Sequence, residues 1–266
     1  MKEKILVWID SSLTYFGVCK SLQEKYDCEL YAIYDVTDKP KKYLQQQEII
    51  KFQKSWFYHD LISSRNSKPD IQFLKQFEEK YNINLWLLAR NDRIFNEFND
   101  FYDFTEDEIL SILEQESRSF DEILDSVNPD YVIIWHPTLQ QDYLLYLICK
   151  ARGIKTLVLR TTRVGKKFII SDNNQDIGFH KINPNVDSDK FSDSILDYHD
   201  KFDPQKVTAG FRNRFMSSNS DMISALRKYI FSENTNPDTH YTYFGRTKLK
   251  VLLKSFKYEI QTKIRK

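Results

Sequence analysis

The sequence predicts an α/β protein with a Rossmann-like, mostly parallel sheet, helices on both of its faces and a C-terminal helical segment. Short, continuous apolar runs alternate with segments of helical periodicity, which is the order expected of parallel strands joined by helices. Two strand–helix–strand units stand out, one at the N-terminus and one in the middle of the chain. Hydrophobic residues make up 41% of the 266 residues and charged residues 29%, which allows a sizeable core.

The first unit occupies about 35 residues, the size expected of a strand–helix–strand unit. Residues 5–9 form a continuous apolar run, which is typical of a strand buried on both faces. The run is closed by Asp10, and either Ser11 or Ser12 can cap a helix that starts near residue 12. Residues 28–34 predict the second strand of the sheet.

The stretch after this unit is less regular. Residues 51–58 alternate in the manner of a strand, and residues 71–81 carry apolar side chains at helical spacing. Residues 85–88 are an apolar run that we interpret as a short strand. Thr105 is followed by acidic residues, as at the start of a helix, and the helix predicted there continues to about Val127.

The second unit is the clearest part of the sequence. Residues 131–135 predict a buried strand, and residues 136–138 a tight loop into a helix over 139–152. That helix ends at Gly153, which suits a left-handed C-cap. Residues 154–159 predict the next strand, which we expect to run parallel to the preceding one.

The pattern divides the chain into three parts. Residues 1–185 form the predicted Rossmann-like domain, and residues 186–240 a helical extension and linker, with helices near 190–203 and 217–232. Residues 241–266 are predicted to form a basic amphipathic helix.

Composition excludes several classes of protein. The net charge is +1 and the pI about 7.6, so the chain as a whole gives no reason to expect a nucleic-acid partner. The apolar run at the N-terminus has five residues, too few for a signal peptide, and no apolar run is long enough to span a membrane. We therefore expect a cytoplasmic protein. The three cysteines lack the spacing of a disulfide framework or a zinc site: Cys19, Cys28 and Cys149.

Candidate site residues follow the predicted parallel strands, because ligands of open α/β sheets bind beyond the carboxyl ends of their strands. Asp10 and His136 are the candidate catalytic residues, since either can take the proton of a sugar hydroxyl. Arginine is suited to phosphate because its planar guanidinium donates two hydrogen bonds at once. The candidate substrate-binding residues are Ser11, Ser12, Thr138, Arg160, Arg163 and Gly165.

Each candidate also has a structural interpretation. Asp10 and Ser11 can simply cap a helix, His136 can make a structural hydrogen bond, and the arginines can pair with carboxylates. The remaining histidines are isolated in the sequence, and none is a predicted ligand: His59, His180, His199 and His240.

Several well-known motifs are missing from the sequence. It contains no G-x-G-x-x-G dinucleotide fingerprint, no phosphate-binding P-loop and no G-x-S-x-G nucleophile elbow. Glu108 and Glu116 stand in the E-x7-E spacing of some retaining glycosyltransferases. They fall inside the predicted helix 105–127, where we interpret them as solvated surface residues.

Two segments carry a resemblance to a known family. His136-Pro137-Thr138, the strand that ends at Leu159, and residues 160–168 resemble the N-terminal domain of capsule and surface polysaccharide biosynthesis proteins. In that group a strand, a histidine loop, a helix and a second strand lead into a turn containing arginine and glycine. Residues 8–11 and 15–17 resemble its first strand and helix start. The resemblance covers roughly residues 4–170, with the basic segment near 245–266.

The resemblance implies the acceptor-side, N-terminal part of a GT-B-like glycosyltransferase. Such an enzyme transfers a sugar from a nucleotide-sugar to a glycan or lipid-linked acceptor. No metal is required in that fold, and the nucleotide-sugar is a substrate, so no cofactor is expected. Members of the group continue into a second Rossmann-like domain that binds the donor. The sequence ends at Lys266, about where that domain would begin, so we expect the donor-binding half to be a separate domain or chain.

Two other functions remain open. The chain can be a sugar-nucleotide epimerase-like enzyme, which shares the fold. It can also be a non-catalytic partner or scaffold subunit of a polysaccharide assembly complex.

The last 26 residues are unusually basic, with eight lysines and arginines against Glu259 alone. Leu249, Leu252, Leu253, Phe256 and Ile260 fall at helical spacing, with most lysines off that stripe. Such a helix is suited to an anionic membrane surface, which predicts peripheral contact with the inner face of a membrane. The alternative is that the apolar stripe docks on a second domain while the lysines are simply solvated.

Overall fold

The computed structural model describes residues 2–10, 14–62, 68–96, 100–161, 168–172, 219–232 and 236–264. Its centre is a six-stranded sheet with the strand order β3-β2-β1-β4-β5-β6. The first five strands pair in parallel, which confirms the predicted fold class. The strands are β1 Glu3–Asp10, β2 Cys28–Asp35, β3 Phe52–Phe57, β4 Tyr131–Trp135, β5 Lys155–Thr161 and β6 Phe168–Ser171.

Helices connect the strands and follow the sheet. They are α1 Thr14–Lys25, α2 Asp38–Gln46, α3 Tyr58–Leu61, α4 Ile71–Tyr81, α5 Leu85–Asn91, α6 Arg93–Asn96, α7 Glu106–Val127, α8 Gln140–Ala151, α9 Asn219–Phe231, α10 Asn236–Thr239 and α11 Lys248–Ile264. A 3-10 turn, Tyr241–Tyr243, lies between the last two. The predicted helices over 71–81, 105–127 and 217–232 are confirmed, whereas the predicted helix near 190–203 lies outside the described residues.

Capping explains where the long helix α7 begins and ends. The Thr105 hydroxyl accepts from the Glu108 amide, and the Glu108 carboxylate accepts from the Thr105 amide, so the two residues form a capping box. Asn128 ends the helix in the left-handed conformation. Gly153, with φ of +70°, follows α8 in the same region of backbone space, as the sequence predicts.

The predicted strand over residues 85–88 is wrong. These residues begin α5, which Asn84 caps by accepting a hydrogen bond from the Leu87 amide at 2.7 Å. A short apolar run fits a buried strand and a helix equally well, and the cap decides between them.

Two apolar cores cover the two faces of the sheet. On one face, alternate β1 residues such as Leu6 and Trp8 pack with helices α4, α5, α7 and α8. On the other face, Val7 and Ile9 pack with Tyr15 and Cys19 of α1. Side chains alternate between the faces of a strand, so the continuous apolar run of β1 supplies both cores.

The chain forms two compact units. The first contains Met1–Leu159, Ile170–Gln175 and Asn234–Lys266, and the second contains Arg160–Ile169 and Asp176–Glu233. The predicted boundaries at residues 185 and 240 stay a prediction, and the segment from residue 234 onward belongs to the first unit. Tyr241 and Phe244 of that segment are buried in the first core.

The C-terminal helix α11 follows this buried segment. Gly245, with φ of +72°, makes the turn, and a Cβ there would lie 2.3 Å from the Phe101 carbonyl oxygen. Within the part of the chain that the structure describes, no helix combines the length and apolar character needed to cross a bilayer.

Candidate active site at the carboxyl edge of the sheet

The strand order creates a topological switch point between β1 and β4. Helix α1 follows β1 on one face of the sheet, whereas α8 follows β4 on the other face. The connections therefore diverge at the carboxyl ends of these two neighbouring strands. Ligands of open α/β sheets bind at such a topological switch point.

Two of the predicted residues lie at this point. Asp10 is the last residue of β1, and His136 directly follows β4. The parallel pairing between these strands ends at Val7 and Ile133, three residues before Asp10 and His136 respectively. The His136 amide donates to the Leu159 carbonyl at 3.0 Å, which fixes the start of the loop. The structure thus brings Asp10 and His136 to one edge of the sheet, on adjacent strands.

Thr138 is exposed in the loop between β4 and α8 and lines a cavity of about 220 Å³. Pro137, Gln140 and the buried Asp92 line the same cavity. It lies at the carboxyl edge of β4, where the sequence predicts a substrate contact.

The other predicted residues are placed differently. Arg160 lies within β5, which continues to Thr161, whereas the sequence predicts a loop from residue 160. Arg160 also belongs to the second compact unit. Four predicted residues lie outside the described part of the chain: Ser11, Ser12, Arg163 and Gly165.

Asp35 is a site residue that the sequence analysis missed. It is the last residue of β2 and pairs in register with Asp10 of β1. His59 Nε2 lies 3.3 Å from one of its carboxylate oxygens, and Gln141 Nε2 donates to the other at 3.4 Å. The signal was available, because Asp35 directly follows the second predicted strand just as Asp10 follows the first.

Carboxylates also occupy the N-terminus of α8. Asp142 accepts from the Leu139 amide at 2.8 Å and the Thr138 amide at 3.3 Å, and buried Asp92 accepts from the Gln140 amide at 2.7 Å. Burial raises the pKa of Asp142 to about 8, with a further increase from the charge of Asp35, while its backbone hydrogen bonds oppose the shift. Three amides at this helix end, those of Thr138, Leu139 and Gln140, are therefore engaged by carboxylates of the protein itself.

Tyr15 brings a polar atom into the same region. Its side chain is fully buried, and its ring packs edge-on against Trp135 at the end of β4, with ring centroids 6.0 Å apart. The Tyr15 hydroxyl has no hydrogen-bond partner among the residues described. Burial raises the pKa of this hydroxyl, and the charges of Asp10 and Asp142 add to the shift.

Two histidines predicted to be isolated instead stack on each other. The rings of His59 and His240 are nearly parallel, with centroids 4.0 Å apart and an interplanar angle of 8°. Each Nε2 lies 3.3 Å from an aspartate, Asp35 for His59 and Asp38 for His240. Both Nδ1 atoms are buried and have no partner among the described residues.

This pair is not a metal chelate. The lone pair of each Nδ1 lies in the plane of its ring, and two stacked parallel rings cannot direct such lone pairs to one ion. The described residues contain no group of three or more histidine, cysteine or acidic side chains able to hold a metal. The stacking instead joins the segment before α11 to the carboxyl end of β3.

Glu116, expected on the solvated surface of its helix, is completely buried. It accepts hydrogen bonds from the Tyr58 hydroxyl and the Gln140 side-chain amide, and from the Tyr241 hydroxyl at 3.3 Å. Burial raises the pKa of Glu116 to about 7, although the hydrogen bonds from Tyr58 and Gln140 lower it. The interpretation of Glu108 and Glu116 as two solvated surface residues is therefore wrong for Glu116.

The hydrogen bonds continue from this buried carboxylate to the edge of the sheet. The Tyr241 hydroxyl oxygen lies 2.8 Å from that of Tyr58 and 3.5 Å from the Gln141 side-chain oxygen. Gln141 in turn contacts Asp35. The buried polar cluster of Glu116, Tyr58, Tyr241 and Gln141 thus holds the Asp35 carboxylate in position from the interior of the protein, because each member restrains the orientation of the next.

The carboxyl edge of the sheet at the switch point has a definite chemical character. Asp10 and Asp35 present carboxylates from adjacent strands, and His136 adds an imidazole on the neighbouring side. Carboxylates accept hydrogen bonds and repel phosphate, so this edge suits a ligand that carries hydroxyl groups. The sequence matches no protein-family model and no curated protein.

Proposed function

We propose that this chain is the acceptor-side part of a GT-B-like glycosyltransferase in capsule or surface polysaccharide biosynthesis. In this proposal it binds the hydroxyl-bearing acceptor, a glycan or a lipid-linked sugar, at the carboxyl edge of its sheet. A separate domain or chain supplies the binding site for the nucleotide-sugar donor. The reaction takes place in the cytoplasm.

One observation carries the proposal. Asp10 and Asp35 end adjacent parallel strands beside the switch between β1 and β4. The site is rich in acceptors of hydrogen bonds, and three amides at the start of α8, those of Thr138, Leu139 and Gln140, are engaged by Asp92 and Asp142. This combination favours neutral hydroxyl groups over phosphate as the ligand, which is what an acceptor site requires.

The proposed chemistry uses a general base. The acceptor hydroxyl oxygen attacks the anomeric carbon of the donor sugar, and its proton passes to Asp10 or His136. The bond between that carbon and the phosphate oxygen breaks, and the nucleotide leaves with the electrons of the bond. A base within hydrogen-bond reach of the hydroxyl contributes about 10²–10⁴-fold to such a step. Contact of Arg160, Arg163 and Gly165 with the substrate stays a prediction.

A second candidate is a sugar-nucleotide epimerase-like enzyme. The strand order is that of dinucleotide-binding sheets, in which an acidic residue after the second strand contacts a ribose hydroxyl. Asp35 occupies the corresponding place at the end of β2. Against this candidate, Asp10 adds a negative charge at the first strand end, and the glycine-rich phosphate loop is absent from the sequence.

Ligand binding by the full chain separates these candidates. The probes are methyl glycosides of common hexoses and N-acetylhexosamines, NAD and UDP-glucose, followed by saturation-transfer difference NMR. Asp10→Asn and Asp35→Asn test the site. Asp27→Asn is the matched control, because Asp27 is an exposed aspartate beside the amino end of β2, on the opposite edge of the sheet.

The proposal predicts binding of at least one glycoside, weakened about tenfold by Asp10→Asn or Asp35→Asn and unchanged by Asp27→Asn. Binding of NAD that depends on Asp35, without glycoside binding, would establish the second candidate instead. Absence of binding to every probe would favour a non-catalytic subunit and would contradict both enzyme proposals.

A further inference from the structure

The C-terminal helix α11 exposes a stripe of large apolar side chains. Leu249, Leu253, Phe256 and Ile260 follow one another at intervals of four, three and four residues, which places them on one face of the helix. Their exposed fractions are 68%, 62%, 72% and 48%. Exposed apolar surface of this extent and order marks a site of interaction.

The helix contacts the rest of its compact unit through other positions. Lys254 pairs with Asp100, and the Lys250 ammonium donates to the Phe101 carbonyl at 3.4 Å. Lys250 lies roughly 100° around the helix axis from Leu249, and Lys254 roughly 140° in the same direction. The apolar stripe therefore points away from the segment that holds the helix in place. The turn at Gly245 fixes where the helix starts, because only glycine fits there.

Basic side chains stand on both sides of the stripe. Lys248 and Lys257 lie roughly 100° and 80° around the axis from Leu249, in opposite directions. The sequence from residue 241 onward contains eight basic residues and a single acidic one. Two copies of this helix would bring like charges together, whereas an anionic surface would neutralise them. The charge therefore selects an anionic occupant over a second copy of the chain.

We infer that α11 is a peripheral membrane-binding helix, whose apolar stripe enters the boundary between headgroups and acyl chains of an anionic phospholipid bilayer. An apolar stripe with lysines at its margins is the arrangement of helices that lie in the membrane interface. The lysines then reach the headgroups of anionic lipids on both sides of the buried stripe. This inference does not depend on the proposed glycosyl transfer.

Flotation of the full chain with vesicles tests the inference. The vesicles contain phosphatidylcholine alone, or phosphatidylcholine mixed with phosphatidylglycerol. We expect binding to the mixed vesicles only, and weaker binding as the salt concentration rises, because salt screens the lysines. Binding to neither vesicle, or equal binding to both, would overturn the inference.

A pair of charge-matched variants isolates the stripe. Leu253→Glu and Tyr258→Glu each add one negative charge at an exposed position, but Tyr258 lies on the opposite side of the helix. We expect Leu253→Glu to lower the partition coefficient at least about tenfold more than Tyr258→Glu does. Equal losses would contradict insertion of the stripe.

Both side chains are exposed, so neither variant removes a core contact, and thermal unfolding monitored by circular dichroism checks that the fold is retained. Sedimentation velocity without vesicles measures self-association. A dimer that depends on Leu253, without vesicle binding, would assign the stripe to a second copy and refute the membrane assignment.

Discussion

Replacing Glu116 with glutamine should change how the stability of the protein depends on pH. Glu116 is completely buried, and burial raises its pKa from the usual 4.5 to about 7. The folded protein therefore holds the Glu116 proton more tightly than the unfolded chain. This contribution to stability is fully present below pH 4.5 and is lost as the pH rises through about 7.

The magnitude follows from the two pKa values. Each pKa unit corresponds to about 1.4 kcal/mol, so the difference between 4.5 and about 7 amounts to roughly 3 kcal/mol. Glutamine is neutral at every pH and has nearly the shape of glutamate, so its oxygen can keep accepting from Tyr58. Its amide can donate to the Gln140 side-chain oxygen, which has no partner among the described residues, once the Gln140 amide turns over. The Glu116→Gln variant should gain roughly 3 kcal/mol relative to wild type between pH 4 and pH 8.

Urea denaturation of wild type and variant at a series of pH values measures this difference. Subtracting the two curves removes the titration of groups that both proteins share, such as Asp142 and His240. Glu122→Gln serves as the control, because Glu122 is exposed on the same helix. A Glu116→Gln difference that stays constant within about 0.5 kcal/mol across the range would refute the assignment of a raised pKa.

Three further predictions concern the segment that covers the carboxyl edge of the sheet. Gly245→Ala should lower the free energy of unfolding more than Gly153→Ala does. Both glycines have positive φ, which costs about 1–2 kcal/mol for alanine. Only at residue 245 would the added Cβ also lie 2.3 Å from a carbonyl oxygen. Equal losses in urea denaturation would show that the close contact relaxes freely. Burial and the neighbouring His59 lower the pKa of His240 to about 4, so wild type should lose stability relative to His240→Phe as the pH falls from 6.5 to 4. A difference between the two that does not change with pH would contradict this. Tyr241→Phe should lower the free energy of unfolding by about 1–2 kcal/mol at neutral pH, because it removes a buried hydroxyl from the polar cluster. An unchanged denaturation midpoint would show that this hydroxyl does not contribute to stability.

Much of the fold follows from patterns that are local in the sequence. Strands β1 and β4 contain continuous apolar runs, and β4 and β5 lie where the second strand–helix–strand unit predicts them. Thr105 and the acidic residues after it indicate the start of helix α7, because the capping box of Thr105 and Glu108 involves only residues close together in the sequence. Residues 85–88 mislead because four apolar residues carry too little periodicity, although Asn84 is a cap that the sequence displays.

The candidate site is predictable only in part. Asp10 and His136 follow strands, so the geometry of a parallel sheet places them at one edge. Asp35 obeys the same rule and could have been included. The stacking of His59 on His240 joins residues far apart in the chain, and no local pattern indicates it.

The burial of Glu116 has a similar cause. The residue lies on a helix whose periodicity alone does not distinguish a solvated acid from a buried one. Its partners come from a strand end, from α8 and from the C-terminal segment: Tyr58, Gln140 and Tyr241. The burial of such a carboxylate can be predicted only once the three-dimensional arrangement of the elements that donate its hydrogen bonds is known.

The most direct test of the account is to map where a sugar touches the protein. Backbone amide chemical shifts of the full chain are followed by NMR during titration with the glycoside that binds most tightly. We predict changes concentrated at the carboxyl ends of β1, β2 and β4, at Asp10, Asp35 and His136. Shifts confined to the opposite edge, or absent at saturating glycoside, would contradict an acceptor site at the switch point.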